Sequence, residues 1–167
     1  MAITFFLRIE GIDGEAATAE PPYHNTIEVK SWNWGATGVT LTRPGPGTAS
    51  AGKPAVQGLT CTKWVDRATP KIYESLLQGK HIPQSVLSCV RSVGPARTAK
   101  YDRFLVLTMS DCVISSALTG SDSGEERLTE SVTLLFSKIQ LDYYYRDPSG
   151  RESTFTFKWD AAAGAKF

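Results

Sequence analysis

The chain has 167 residues, of which 41% are hydrophobic and 21% are charged, a composition typical of one globular domain and not of a disordered or fibrous chain. Eighteen Lys and Arg residues face 17 Asp and Glu residues, for a formal net charge of +1. Nucleic-acid-binding proteins and membrane-surface proteins usually carry an excess of positive charge, so both classes are disfavoured.

The amino-terminal segment predicts a strand. Apolar residues occupy alternate positions from residue 3 to residue 9, which is the period of an amphipathic strand. Arg8 and Glu10 interrupt the apolar run well short of the ~7–15 residues of a secretory signal or the ~20 residues of a membrane-spanning helix. We therefore expect a protein that is made in the cytoplasm, is not inserted in a membrane and does not leave by the general secretory route.

A second alternating segment, residues 26–35, contains two tryptophans. Trp32 and Trp34 share one face of the predicted strand, while Asn33 points to the other face. Two large aromatic side chains on one face most often fill a core or an interface.

Residues 36–54 consist mainly of Gly, Pro, Thr, Ser and Ala, and we expect an extended loop because they offer little to bury. Loops of this length are usually functional. Residues 47–53 match the start of a phosphate-binding P-loop, but Pro54 replaces the Ser or Thr that would hold Mg²⁺. Because no strand-to-helix transition is expected around them, we predict no nucleotide site.

One segment predicts a helix. Thr69 can cap it, Pro70 suits its first turn and Gly79 can end it. Between these residues, apolar side chains recur four residues apart and predict one apolar face, formed by Ile72, Tyr73, Leu76 and Leu77. The helix is too short to form a core alone, so we expect it to cover one face or one end of a sheet.

The rest of the chain predicts strands at residues 83–93, 104–119 and 128–145, and a hairpin into residues 153–159. The sequence therefore predicts a single, mainly β domain over residues 1–167, with a short tail at residues 160–167.

Within residues 128–145 the apolar positions change from even numbers to odd numbers. A period of two cannot change parity without an extra residue. We therefore predict a β-bulge near Ser137 and Lys138, which would help the sheet to curl.

No cluster of residues suggests catalysis or metal binding. The three cysteines are far apart and form no C-x-x-C pair, which argues against a disulfide scaffold or a zinc site. Cys89 and Cys112 are interpreted as buried apolar groups. The two histidines, His24 and His81, show no triad pattern, so we predict no enzyme activity, no metal and no cofactor.

Three consecutive tyrosines, Tyr143, Tyr144 and Tyr145, must place aromatic surface on both faces of their strand. One face would belong to the core, and the other would meet either solvent or a partner subunit. Tyr is enriched at interfaces, so we favour an interface.

Residues 124–139, with the tyrosines that follow, closely resemble the signature of the Hcp family (haemolysin-coregulated protein), the inner-tube proteins of type VI secretion systems. Further matches follow in the same order along the chain, at residues 2–11, 32–35, 65–73, 76–83 and 114–120. The ordered set is specific and covers almost the whole chain. Residues 43–47 and 161–167 look particular to this protein.

The resemblance implies a β-barrel of two sheets with a helix on its flank, similar to phage tail-tube proteins. Six copies would form a ring, and rings would stack into a tube inside a contractile sheath. A spike protein of the VgrG family would sit at the tube's end, and effector proteins would ride in its lumen. The tube would be propelled from the bacterial cytoplasm to the outside without cleavage of a signal peptide. The family has no known catalysis, and no toxin domain is expected after the last strand.

Two sets of residues become candidate contact sites in such a tube. Asn33 is the candidate lumen-facing residue. The candidates for contacts between subunits or rings are Arg43, Gly45, Gly47, Lys53, Tyr143, Tyr144 and Tyr145.

A monomeric ligand-binding β-barrel is the alternative, and a hydrolase that uses His24 or His81 has less support. Against the ligand-binding barrel, the strand pattern lacks the convergent polar groups near an apolar mouth that a pocket requires.

Overall fold

The structure, a computed structural model, describes residues 2–18, 20–38, 41–42, 50–51, 53–94 and 100–167. The secondary structure of these residues, in chain order, is β1 (Ile3–Ile9), β2 (Ile27–Asn33), β3 (Ala36–Thr37), β4 (Leu41–Thr42), β5 (Ser50–Ala51), β6 (Ala55–Val56), β7 (Leu59–Trp64), α1 (Thr69–Leu77), β8 (Ile82–Val93), β9 (Lys100–Gly120), β10 (Thr129–Arg146) and β11 (Glu152–Asp160).

Six strands close into an antiparallel barrel. The hydrogen-bonded order is β10-β7-β2-β1-β8-β9, and pairing between β9 and β10 completes the circle. Side chains that alternate along these strands fill the interior, and Leu7, Ile27, Leu59, Leu87 and Leu107 are each at most 1% exposed. The predicted mainly β barrel with one short helix is confirmed, with its strands joined in one continuous hydrogen-bonded sheet.

Helix α1 begins at the predicted residue and packs on the barrel core through Ile72 and Leu76. Leu77 is 83% exposed, so its predicted place on the apolar face is wrong. It follows Ile72 by five residues, which turns it about 140° around the helix axis. The capping residue is Ala68 rather than Thr69. Gly79 ends the helix with a φ of +60°, a conformation that suits glycine.

The side chains of β10 change parity as predicted. Val132 and Leu134 are buried, and so is Ile139 after the change. The predicted bulge at Ser137–Lys138 is wrong as a register shift, because β10 pairs with β9 at one constant offset from Leu134 to Tyr143. The ladder is interrupted there all the same: Ser137 is left out of it, and Asp111, which lies opposite at that offset, has a φ of +54°.

The register shift lies instead between Thr133 and Leu134, which pair with Ser116 and Ile114 and leave Ser115 of β9 as the extra residue. The parity change coincides with a change of neighbour: β7 pairs with β10 only up to Leu134, and β11 takes its place from Lys138.

The segment that was expected to be an extended loop is, in its described part, an antiparallel arm. Ala36 pairs with Val56 next to the barrel, and Leu41 pairs with Ala51 further out. Lys53 is exposed. The other three arm candidates lie outside the described residues: Arg43, Gly45 and Gly47.

A strap, residues 13–26, covers part of the outer side of the barrel. The ring of Tyr23 stacks on Phe6 with 4.9 Å between ring centres, and Tyr101 packs edge-on against both. The backbone nitrogen of Tyr101 donates a hydrogen bond of 3.0 Å to Glu20. The strap therefore anchors the first residues of β9.

Candidate assembly surfaces

The β10–β11 hairpin extends one wall of the barrel beyond Leu134, the last residue of β10 that pairs with β7. Its ladder pairs Tyr143 with Phe155 and Leu141 with Phe157. These residues point to the same side as Ile139, which is fully buried, and as Trp159, which packs on the core. The hairpin thus continues the barrel's apolar lining into solvent.

Four aromatic side chains on that lining are exposed, and we call them the aromatic face: Tyr143 (40%), Tyr145 (45%), Phe155 (61%) and Phe157 (42%). Large aromatic side chains grouped on one exposed sheet face mark an interaction surface. The tyrosines were predicted as contact residues from the sequence, and the phenylalanines were not. The alternation of aromatic residues at positions 155, 157 and 159 could have indicated them.

The opposite side of the hairpin is polar. The carboxylate of Asp142 is buried, and it accepts hydrogen bonds from Gln140 at 2.8 Å and from Thr156 at 2.6 Å. Tyr144 also lies on this side, with the guanidinium of Arg103 4.3 Å above its ring centre. The structure therefore separates Tyr144 from the other two tyrosines.

An arginine cleft of about 230 Å³ lies at the end of the hairpin, where the end of β8, the start of β9 and the end of β10 meet. Arg91 stacks on Phe104 with 4.5 Å to its ring centre, and Arg103 stacks on Tyr144. Arg146 lies 3.2 Å from Glu152 and 3.6 Å from Asp102. Sequence analysis missed this cleft because its residues come from four strands and follow no local motif.

Trp32 and Asn33 end strand β2, Trp34 follows it directly, and the three side chains alternate in exposure as predicted. Trp32 and Trp34 are partly buried against the core, and Trp32 packs edge-on against Phe5 at 6.2 Å. Asn33 is exposed on the opposite side of the strand.

The three cysteines are buried and free of disulfides. Burial raises the pKa of Cys61 to about 12 and, despite an interaction with Trp32 that lowers it, the pKa of Cys89 to about 12. Burial also raises the pKa of Cys112. Because the thiolate is the reactive form, these side chains behave as apolar groups in the folded protein.

The histidines lie in different surroundings. Nε2 of His81 lies 3.1 Å from Asp111, and both side chains are exposed. Nδ1 of His24 lies 3.0 Å from the carbonyl oxygen of Thr18. Across the described ranges, no group of three His, Cys, Asp or Glu side chains could hold a metal ion. In that same part of the chain, no helix has the length and hydropathy needed to span a membrane.

Comparisons with known proteins agree with the fold. The family model for "Type VI secretion system effector, Hcp" matches residues 6–143. Protein hcp1 of Pseudomonas aeruginosa is 35% identical over 150 residues, which cover 90% of this chain and 88% of that protein. The crystal structure of Hcp1 from Salmonella typhimurium is 31% identical and has a TM-score of 0.76 over 100% of both chains.

A further solved structure, of a type six secretion system protein, has a TM-score of 0.83 at 22% identity and covers 99% of this chain and 100% of that one. It shows the same fold. Together the matches define a β-barrel tube protein of a secretion machine. The chain belongs to the Hcp family of type VI secretion systems, whose members are secreted structural proteins. The resemblance at residues 124–139 is thereby confirmed.

Proposed function

We propose that six copies of this chain form a ring and that rings stack into the inner tube of a type VI secretion system. The observation that carries the proposal is the aromatic face, which continues the barrel's apolar lining into solvent. A ring of identical subunits needs a surface that each copy covers on its neighbour. We propose that the aromatic face is part of that seam, with Tyr143 and Tyr145 at its centre.

The remaining parts of the proposal follow from the family. The tube would assemble in the bacterial cytoplasm within a sheath, carry effector proteins in its lumen and end in a spike protein of the VgrG family. On firing it would leave the cell without cleavage of a signal peptide. Its role is structural, and no enzymatic step and no cofactor is proposed.

Two further surfaces are assigned within this proposal. The arm formed by β3 to β6 consists of two short ladders, and an arm of this kind can reach a neighbouring subunit or ring. We assign it ring-to-ring or subunit contacts, which would include Lys53 and the undescribed Arg43, Gly45 and Gly47. Asn33 is assigned to the lumen because it is polar, exposed and opposite the tryptophans.

The packed interior favours a tube subunit over a monomeric ligand-binding barrel. Ile139, Met109 and Leu107 are fully buried in one core cluster. A ligand-binding barrel of this kind needs a cavity lined with a few convergent polar groups. The hollow of about 420 Å³ beside half-buried Trp64 is instead on the surface, and its other lining residues, 124–127, are exposed.

The mass of the protein in solution tests the proposal. Light scattering coupled to size exclusion should give a hexamer for the wild type. Phe155→Glu should give smaller species with little change in thermal unfolding, because Phe155 is the most exposed member of the aromatic face and contributes little to the core. Thr154→Glu is the control, since its side chain is exposed on the polar side of the same strand.

A monomeric wild-type protein at high concentration would overturn the ring. A hexamer that survives Phe155→Glu unchanged would overturn the assignment of the aromatic face to the seam.

A further inference from the structure

We propose that stacked rings are held in register by a charge clasp, in which an acidic tip on each protomer enters the arginine cleft of a protomer in the next ring. The inference rests on the proposed ring and adds the partner, the surfaces and the chemistry of the contact between rings. The occupant of the cleft is therefore a second copy of this chain.

The arginine cleft offers hydrogen-bond donors for a carboxylate. Arg91 and Arg103 are held by aromatic rings at 4.5 Å and 4.3 Å, and in the described part of the chain neither forms an ion pair. Stacking uses the flat face of a guanidinium and leaves the N–H groups at its edge available. Those groups match a carboxylate in a two-point hydrogen bond.

Negative charge is also present in the cleft. Asp102 and Glu152 both lie against Arg146, at 3.6 Å and 3.2 Å. These two carboxylates therefore pair with Arg146. Arg91 and Arg103 contact aromatic rings instead of carboxylates. The cleft has an excess of one positive charge.

The acidic tip is the connection between β9 and β10. Asp122, Glu125 and Glu126 are all exposed, and Gly124 bends the chain with a φ of +104°. Arg127 lines a hollow with Glu125 and Glu126, and its guanidinium lies 4.6 Å above the ring of Trp64. Lys30 lines the same hollow as Asp122 and Glu125. Three carboxylates thus lie near two cations, Lys30 and Arg127, and the tip keeps an excess of one negative charge.

The apolar parts of the two surfaces also match. Leu118 and Leu128 flank the acidic tip and are 70% and 55% exposed. Exposure of large aliphatic side chains to water is unfavourable, and burying them in a contact would be favourable. The aromatic residues that line the arginine cleft are Phe104, Tyr144 and, at its border with the aromatic face, Tyr143 and Tyr145. A tip that combines leucines with carboxylates fits a cleft that combines aromatic rings with guanidinium groups.

The topology places the two surfaces at opposite ends of one ladder. Strand β9 starts beside Asp102 and Arg103 and ends at Gly120, and β10 returns from Thr129 to Arg146. At about 3.3 Å per residue, the contour of β9 is on the order of 65 Å, so the strands hold the tip away from the cleft of its own protomer. Complementary surfaces at opposite ends of a subunit are what head-to-tail stacking requires.

Each clasp is weak by itself, because exposed ion pairs contribute little. A ring would present six clasps at once, and simultaneous contacts multiply their effect. The contact should also weaken with salt, since the Debye length falls from about 10 Å at 0.1 M to about 3 Å at 1 M. The clasp therefore gives a stack that forms between complete rings and not between single protomers.

Charge reversal tests the clasp in the full chain. The variants are Arg91→Glu with Arg103→Glu in the cleft, and Glu125→Arg with Glu126→Arg at the tip. Light scattering is first used to compare the wild type and each variant. A wild type without rings counts against the proposed function, whereas a cleft or tip variant that alone loses the ring counts against the clasp. Negative-stain images and sedimentation then give the fraction of stacked rings at low and high salt.

We expect each reversal to reduce the stacked fraction at low salt at least tenfold and the combined variant to recover most of it. The control reverses two exposed charges of α1, Lys71→Glu with Glu74→Arg, and should leave stacking unchanged. Equal stacking in all variants, or no recovery in the combined one, would overturn the clasp.

A trapping experiment covers the case of rings that stack only transiently. Arg103→Cys combined with Glu126→Cys should give a ladder of disulfide-linked chains on oxidation, because the three native thiols are buried. Arg103→Cys combined with Lys71→Cys is the control and should not. Intact rings that give no ladder, or as strong a ladder in the control, would contradict the proposal.

Discussion

The ammonium group of Lys63 lies 2.9 Å from Oε2 of Glu130, and both side chains are completely buried. Lys63 also contacts Asp66 at 2.9 Å and donates a hydrogen bond of 2.8 Å to the carbonyl oxygen of Trp64. The hydroxyl of Thr69 donates to Glu130 at 2.7 Å. Strands β7 and β10 and the first turn of α1 are therefore joined by one buried network.

Removal of one partner from this network should be more costly than removal of both. Lys63→Met leaves the Glu130 carboxylate buried without its cation, and we expect a loss of about 3–5 kcal/mol in the free energy of unfolding. The double variant Lys63→Met/Glu130→Leu should lose less, because the fully buried carboxylate is removed together with its cation. Asp66 also loses Lys63, but its carboxylate keeps the hydrogen bond that the backbone nitrogen of Ala68 donates at 3.0 Å. Urea unfolding measures both, with Lys71→Met on the exposed side of α1 as the control. Equal losses in the single and double variants would contradict this account.

Two adjacent leucines of α1 provide a matched test of helix packing. Leu76 packs against the barrel core, whereas Leu77 is 83% exposed. Leu76→Asp should lower the free energy of unfolding by about 2–5 kcal/mol, because it removes apolar contacts and places a charge at the core boundary. Leu77→Asp should change it by no more than about 0.5 kcal/mol. Thermal melts compare them, and an unchanged melt for Leu76→Asp would mean that this helix face is not needed.

The buried thiols should make stability depend on alkaline pH. Burial raises the pKa of Cys61 and Cys89 from 9.0 to about 12, so between these values the unfolded chain has lost protons that the folded protein keeps. Their contribution to stability is complete below about pH 9 and is lost as the pH rises towards 12. Other groups titrate in this range, so the comparison is with Cys61→Ala/Cys89→Ala. Urea unfolding at about pH 8 and about pH 10.5 should show a steeper decline for the wild type.

The arm should be needed for assembly and not for folding. Deletion of residues 42–50 removes most of its outer part while Ala36 and Val56 remain paired beside the barrel. We expect the thermal melt to stay within a few degrees of the wild type and the fraction of rings or stacks to fall. If the deletion variant forms rings and stacks to the same extent as the wild type, the arm has no role in assembly and this prediction is wrong. We expect a nucleotide titration to be flat for the wild type and to stay flat for Lys53→Ala.

A positive charge at Asn33 should affect cargo more than rings. Asn33→Arg would place six like charges in the lumen of a hexamer, while the exposed position leaves the core unchanged. Light scattering should still give a hexamer, and co-purification of an effector should fall. Asn33→Gln keeps the amide and is the control. A hexamer structure in which Asn33 faces outward or lies at a seam would rule out the lumen assignment.

The sequence by itself determined the class of fold, because this information is local. Alternation of apolar residues in β1 and β2 follows directly from strand pleating, and Pro70 and Gly79 bound the helix by their backbone preferences. The ordered family resemblance likewise needed no coordinates. Pro54, at the position where a P-loop has Ser or Thr, is likewise a local signal, and it predicts that no nucleotide binds there.

Tertiary structure decided what depends on neighbours distant in sequence. The change of parity in β10 is visible in the sequence. The register shift between β9 and β10 is not visible there, because it depends on which residues of neighbouring strands pair with β10, and closure of the barrel sets that pairing. The exposure of Leu77 depends on where the barrel meets α1. The arginine cleft and the Lys63–Glu130 pair assemble from residues as far as 67 positions apart. The sequence pattern of charged residues does not predict which residue each of them will pair with, because the partners come together only in the folded barrel.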